Sequence, residues 1–229
     1  MIAVIGDIHG CYFTLTELYQ EIKNKYPDIQ VYAVGDLVDR GNKSYEVVEF
    51  ILDNKILFTP GNHDYMFYYF FKEPSSVFAR SWVFNGSEAT LQSYDDHGEK
   101  LFEHIEVLKK APLYFDTPDC FITHAGISKE YENLLDPNFK NDFTPLYELI
   151  NKDFSSDRGV LWLRGKALNI GKLQIMGHTK HQEITLDEEA NAIYIDTGAY
   201  VGNKLSAVIV DNEQIVDVID VKTHLNDII

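Results

Sequence analysis

Gly6-Asp7-Ile8-His9-Gly10, Gly35-Asp36-Leu37-Val38-Asp39-Arg40-Gly41 and Gly61-Asn62-His63-Asp64 each follow a short apolar run, at residues 2–5, 31–34 and 56–59. A β-branched run of about four residues stopped by glycine or Pro-Gly reads as a buried strand ending in a tight loop. The polar residues therefore stand at strand ends. In an open α/β sheet, loops beyond the carboxyl ends of neighbouring strands converge on one crevice. Asp7, His9, Asp36, Asp39, Arg40, Asn62 and His63 are thus expected to share a site. Between the runs, apolar residues recur at helical spacing, at Leu15, Leu18, Tyr19 and Ile22 and again at Val47, Val48, Phe50, Ile51 and Leu52. This β-α-β-α-β alternation predicts a mainly parallel sheet with right-handed crossovers.

Downstream, Tyr65, Phe67, Tyr68, Tyr69, Phe70 and Phe71 form an aromatic run with two readings, a buried helix or a platform for stacking a nucleobase. Helical patterns follow at 88–94 and 101–108. Beyond Ala111-Pro112 the texture turns to strands, at 113–115 and 120–123 around the turn Asp116-Thr117-Pro118-Asp119, then at 173–176, 184–186, 192–195, 205–210 and 215–221. Residues 128–158 show no regular pattern. Two sheets are expected, one from the first half and more parallel, the other from the second half and more antiparallel. No linker, repeat or low-complexity tract divides the chain, so one domain over residues 1–229 is expected.

The formal net charge of −16 argues against a general nucleic-acid surface, although a cleft holding divalent cations can be locally positive. No long apolar stretch suggests a membrane partner or signal peptide. Cys11 and Cys120 do not make a disulfide framework. The expectation is a soluble cytoplasmic protein.

Of the eight histidines, His9, His63, His124 and His178 stand just beyond apolar runs, beside glycine. Four such residues, with Asp7, Asp36 and Asn62, are too many buried polar groups to explain by packing alone, since each needs a partner. A metal centre supplies one. Imidazole, carboxylate and amide oxygen suit manganese, iron or zinc, and the absence of a cysteine cluster argues against a structural zinc. Seven candidate ligands exceed the needs of one catalytic ion and suit two ions about 3.5–4 Å apart that share a carboxylate. Asp36, on the central strand of the three, is the natural bridge.

In this order, G-D-x-H-G, G-D-x-x-D-R-G, G-N-H-[DE], His124-Ala125-Gly126 and Gly177-His178-Thr179 closely resemble the phosphoprotein-phosphatase family of calcineurin-like metallophosphoesterases, in its short bacterial and phage-type branch. The resemblance runs from Gly6 to Thr179, and the strands around Asp196-Thr197-Gly198 also look like the family's C-terminal part. It implies an α/β fold in which a two-sheet β-sandwich, mixed parallel and antiparallel, is flanked by helices. It implies that Asp7 and His9 bind one metal, that Asn62, His124 and His178 bind the other, and that Asp36 bridges, with manganese the first choice. A metal-bridging hydroxide would attack phosphorus in line. His63 would be the general acid, oriented by Asp39, and Arg40 would clamp the phosphate. Arg164, in Leu161-Trp162-Leu163-Arg164, is the expected second clamp and Arg158 its rival. Asp64 is expected to support its loop.

Three functions fit these residues. The leading expectation is a serine/threonine protein phosphatase that also accepts small phosphomonoesters. The alternative is a symmetrical dinucleoside-tetraphosphate hydrolase yielding two ADP, and the third is a catalytically silent phospho-ligand-binding regulator. A dinucleotide needs further cations and a stacking face, for which Lys43, Lys166, Tyr65, Trp82 and Tyr200 are the visible candidates. Asn85-Gly86-Ser87 and Thr90 resemble an N-G-G-x-x-T stretch found in both kinds of enzyme, so they do not decide between them.

Overall fold

Along the first strand, β1 (Ile2–Ile5), Ile2 and Val4 face one way and Ala3 and Ile5 the other, as the two-residue period of a strand requires. The two pairs enter different cores. The computed structural model describes residues 1–228. It continues with α1 (Tyr12–Lys25), β2 (Gln30–Ala33), α2 (Ser44–Asp53), β3 (Leu57–Phe58), α3 (Asn62–Lys72), α4 (Val77–Trp82), α5 (Ser87–Ser93) and α6 (Gly98–Lys110). Then come β4 (Tyr114–Asp116), β5 (Phe121–Thr123), α7 (Thr144–Asp153), β6 (Gln174–Met176), β7 (Thr185–Asp187), β8 (Ala192–Tyr194), β9 (Lys204–Asp211) and β10 (Gln214–Lys222).

The strands form two five-stranded sheets, ordered β10-β9-β1-β2-β3 and β4-β5-β6-β8-β7. In the first, β1, β2 and β3 are parallel, while β9 and β10 add antiparallel on the other side of β1. In the second, β5, β6 and β8 are parallel and β4 and β7 are antiparallel edges. The expected division into a parallel half and an antiparallel half is therefore corrected. Both sheets are mixed, because the β9–β10 hairpin returns to the N-terminal sheet and β8 joins β6 in parallel.

Alternation sorts the side chains into layers. Ile2, Val4, Val208 and Val210 meet Ile122, Ile175 and Ile193 between the sheets. Ala3, Ile5, Ala207 and Ile209 pack on the opposite face against Leu15, Leu18 and Ile22 of α1 and Val47, Val48 and Ile51 of α2. Phe121, next to Ile122 but facing outward, packs with Leu146 and Ile150 of α7. The result is a two-sheet β-sandwich flanked by helices.

The aromatic run is a packed helix. Tyr65 and Phe67 of α3 are buried, and Phe67 stacks on the fully buried Trp82 at 5.3 Å between centroids. Helix α7 lies inside the stretch without sequence pattern, with Pro145 in its first turn and only Leu146 and Ile150 fully buried. Helix α1 has no acid in its first turn and no side-chain cap from its neighbours. Its free amides at Phe13 and Thr14 instead donate to Asp227, at 2.9 Å each. Among the described residues, no helix is long and apolar enough to cross a membrane.

Candidate metal centre

The loops after β1, β2, β3, β5 and β6 meet at the carboxyl ends of their strands, and they turn there through an unusual backbone conformation. His9, Asp36, Asp39, Arg40 and His178 have φ of 47°, 49°, 72°, 75° and 63°, the left-handed region that side chains disfavour. Such residues persist where their surroundings hold them. Asp64 does much of the holding: Leu37 N and Val38 N donate to its Oδ1 at 2.9 and 3.3 Å, and Gly61 N to its Oδ2 at 2.8 Å. This ties the second loop to the third, which is the supporting role expected of Asp64. The glycines serve close approach. A Cβ at Gly61 would collide with Asp36 Oδ1, and one at Gly177 with Asp7 Oδ1.

Asp36 lies at the middle of the assembly. Its Oδ2 is 3.4 Å from His9 Nε2 and its Oδ1 3.6 Å from His124 Nε2, so the two oxygens of one carboxylate face two histidines. Each histidine donates Nδ1–H to a backbone carbonyl, His9 to Val38 O at 3.0 Å and His124 to Val34 O at 2.9 Å. Those bonds fix the tautomer and aim the Nε2 lone pairs inward, the habit of metal-ligating histidines. Burial holds both rings well towards the neutral form. Burial also pushes the Asp36 carboxyl up, but His124, His63, His9 and His178 around it more than reverse this and keep it ionised.

On the far side, Asn62 Oδ1 lies 3.1 Å from His124 Nε2 and 2.8 Å from His178 Nδ1. His178 Nε2 is buried without a partner, and burial, then the neighbouring His124, lowers its pKa to about 2. Lone pairs thus face one another in a dry pocket, an arrangement that a cation would satisfy. The ligand atoms of Asp36, His124 and His178 lie within 4.8 Å of one another, and so do those of His9, Asp36 and His63. Asp7 is outside both groups. Its carboxylate accepts His178 N at 3.0 Å, and burial, with Asp196 and Asp36 nearby, raises its pKa well above the usual range.

His63 is fixed from both ends. Its Nδ1 donates to Asp39 Oδ2 at 2.7 Å, and Arg40 Nη2 donates to its Nε2 at 2.9 Å. Arg40 Nη1 donates to His9 Nε2 at 3.0 Å, so one guanidinium covers both rings. Asp39 is fully buried and saturated with donors, taking Trp82 Nε1 at 2.8 Å and Thr90 Oγ1 at 2.7 Å in addition to His63. Gly86 O accepts Arg40 N at 3.2 Å. The Asn85-Gly86-Ser87 to Thr90 stretch therefore backs the Asp39-Arg40 loop, a role that its spacing alone did not reveal. Trp82, expected only as a stacking candidate, proves to be a hydrogen-bond donor.

Arg164 is exposed, and its charge helps to lower the pKa values of His124 and His178. Arg158 is engaged elsewhere, donating from Nε to Asp153 at 2.8 Å. Two neighbours of the centre had no catalytic or metal role in the sequence reading, in which Tyr200 was only a stacking candidate and Asp196 only part of the C-terminal resemblance. Asp196, whose pKa burial pushes up to about 6, sits near Asp7, and the Tyr200 ring stands edge-on to His9 at 5.0 Å.

Comparison with known proteins places this geometry. The calcineurin-like phosphoesterase family matches residues 1–209. A Bacillus subtilis (strain 168) protein named bis(5'-nucleosyl)-tetraphosphatase PrpE, asymmetrical, is 29% identical over 219 residues, covering 89% of this chain and 88% of its own. A solved structure provisionally described as a diadenosine tetraphosphatase superposes with a TM-score of 0.62 at 20% identity, covering 98% of this chain and 94% of the other. A cold-active protein-tyrosine phosphatase from a psychrophilic Shewanella superposes with a TM-score of 0.64 at 18% identity, covering 97% and 80%. The fold is thus shared by proteins described as acting on quite different phosphoesters.

Proposed function

The chain belongs to the calcineurin-like phosphoesterase family, and on that premise we propose that it is a dimetal hydrolase of dinucleoside polyphosphates that cuts the phosphate chain unequally. The observation that supports the chemistry is the Asp36 carboxylate, its two oxygens divided between His9 and His124. The substrate reading draws on the relative's name, which favours the dinucleotide alternative over the protein phosphatase expected first. That name also replaces the two-ADP split: diadenosine tetraphosphate and one water would give ATP and AMP.

Asp7 and His9 would hold one divalent ion and Asn62, His124 and His178 the other, with Asp36 between; manganese, iron and zinc all suit these donors. When bound, such ions polarise the phosphoryl oxygens and make a bound water more acidic. The protein's own groups do the rest. Arg40 is placed to grip two phosphate oxygens, and in turning to them it would release the Nε2 atoms of His9 and His63. His63, freed at Nε2 and held through Nδ1 by Asp39, would take up a proton there as an imidazolium, stabilised by the Asp39 carboxylate, and pass it to the leaving oxygen. Arg164 would serve as the second clamp.

Trp82 should matter through Asp39 alone. Trp82→Phe keeps the stacking on Phe67 and removes the indole N–H, a bond to a charged group worth about 1.5–3 kcal/mol. We expect kcat to fall roughly tenfold, about 1.4 kcal/mol, more for poor leaving groups than for good ones, with metal content unchanged. A loss independent of the leaving group would detach Trp82 from the proton transfer.

The substrate is tested by metal-reconstituted kinetics with diadenosine tetraphosphate and phosphoserine peptides side by side. We expect kcat/KM for the dinucleotide to be higher by more than about tenfold, or roughly 1.4 kcal/mol of transition-state binding, with ATP and AMP as products. A preference for the peptides restores the phosphatase reading, and two ADP restores the symmetrical one.

A further inference from the structure

A dinucleoside polyphosphate extends well past the attacked phosphorus, and the candidate contacts for that arm are now separable. Tyr65 and Trp82 are buried, and Trp82 is bonded to Asp39. Lys43 is paired with Glu46 at 3.0 Å, and Lys166 lies 3.6 Å from Glu189, which also holds Lys129 at 2.6 Å. Arg158, on the wall of a 690 Å³ cavity beyond Leu163, is spent on Asp153. Tyr200 differs. It is half-buried, edge-on to His9, and carries two cations on its ring, the Arg40 guanidinium at 4.3 Å and Lys180 Nζ at 5.3 Å from the centroid.

Lys180 is exposed and, among the described residues, makes no ion pair. In a chain of net charge −16, an exposed ammonium two residues from His178, whose charge is felt by buried Asp196 but which makes no close ion pair, is a local attractor for a polyanion. It opens onto a cleft of 530 Å³ lined by His181, Gln182, Thr197, Val201, Asn203 and Glu183, whose carboxylate is taken up by Lys204 at 2.5 Å, within the roughly 300–1,000 Å³ range of small-molecule sites. The wall is stiffened by Asn203, whose Nδ2 donates to Gln182 O and Thr197 O at 2.9 and 2.7 Å. His181 Nε2 is buried and has no partner, and Val201 presents exposed apolar surface. The cleft thus offers a cation beside polar wall groups and an apolar face, the chemistry of a phosphorylated nucleoside.

We propose that Lys180, held over Tyr200, binds the phosphate next beyond the attacked one, and that the adjoining cleft receives the attached nucleoside. This rests on the dinucleotide reading. It adds to that reading a direction for the substrate, from His9 across Tyr200 towards His181.

The test compares metal-loaded wild type, Lys180→Ala and Lys180→Arg in two ways. Calorimetry measures binding of a methylene-bridged, non-hydrolysable diadenosine tetraphosphate, and kinetics compare the dinucleotide with p-nitrophenyl phosphate, which has no outer phosphate. We expect Lys180→Ala to weaken analogue binding at least tenfold and to lower kcat/KM for the dinucleotide at least tenfold more than for the aryl ester, with Lys180→Arg recovering most of both. Wild-type binding by the alanine variant overturns the subsite, as does an equal loss on the two substrates, which would put Lys180 on the attacked phosphate. The two readings fail separately. A wild-type enzyme that cleaves the dinucleotide while Lys180→Ala binds the analogue unchanged refutes the subsite only. One that binds the analogue through Lys180 yet prefers phosphopeptides refutes the substrate assignment only.

Discussion

Asp36→Asn is expected to lose metal and activity together: elemental analysis should fall from about two divalent ions per chain to one or none, and kcat/KM should drop by at least about 10³-fold, roughly 4 kcal/mol. The reason is geometric. Oδ1 and Oδ2 face His124 and His9 separately, so each oxygen can serve one ion. Asparagine keeps the shape and retains one oxygen to accept His63 N, a bond now 2.9 Å long. It replaces the other oxygen by an amide N–H₂ group, which has no lone pair for a metal. Asp53→Asn, at the exposed end of α2, should change neither quantity. Two intact ions in Asp36→Asn would remove the bridging assignment.

The second large effect separates proton transfer from metal binding. His63→Asn should retain both ions yet lose about 10²–10⁴-fold in kcat for esters with alkyl-type leaving groups, the usual worth of a general acid. Nitrophenyl esters, whose leaving group needs little protonation, should lose far less. The structure adds a complication. His63 lies close enough to His9 and Asp36 for its own ring nitrogen to fall within one cluster of potential ligands. Metal content is therefore the deciding control, since loss of an ion in His63→Asn would make His63 a ligand instead of an acid.

Much of the candidate site was legible because its polar residues follow short apolar runs and stand within two residues of a glycine, a pattern that survives without tertiary information. Asp7, His9, Asp36, Asn62, His63, His124 and His178 were all singled out in this way, and the fold brings His9, Asp36, His63, His124 and His178 into the two candidate groups. Trp82 and Thr90 were not, because their partner Asp39 is distant in sequence and an indole N–H in a helix looks like any core tryptophan. Helix α7 was missed because its buried face is only Leu146 and Ile150. The sheet division failed for a related reason: alternation identifies a strand but does not say which edge it joins, and β9 chose β1. The substrate was not legible, because every catalytic motif is common to both readings. The placement of Lys180 over Tyr200, on which the proposed subsite rests, exists only once the chain has folded.

The placement of β9 also sets a timetable. The strand that leads into Asp7 and His9 is made before its partners, finds β2 first, and waits for residues 204–211 to cover its other edge. Contacts so far apart in sequence are slow to form, and until then the open edge of β1 is free to pair wrongly with another nascent chain. Asp227 prolongs the wait, because the first turn of α1 is satisfied only when that residue arrives. Candidate ligands drawn from His9 to His178 would come together only once most of these strands have paired, so protein folded without divalent ions is expected to gain activity when they are supplied afterwards.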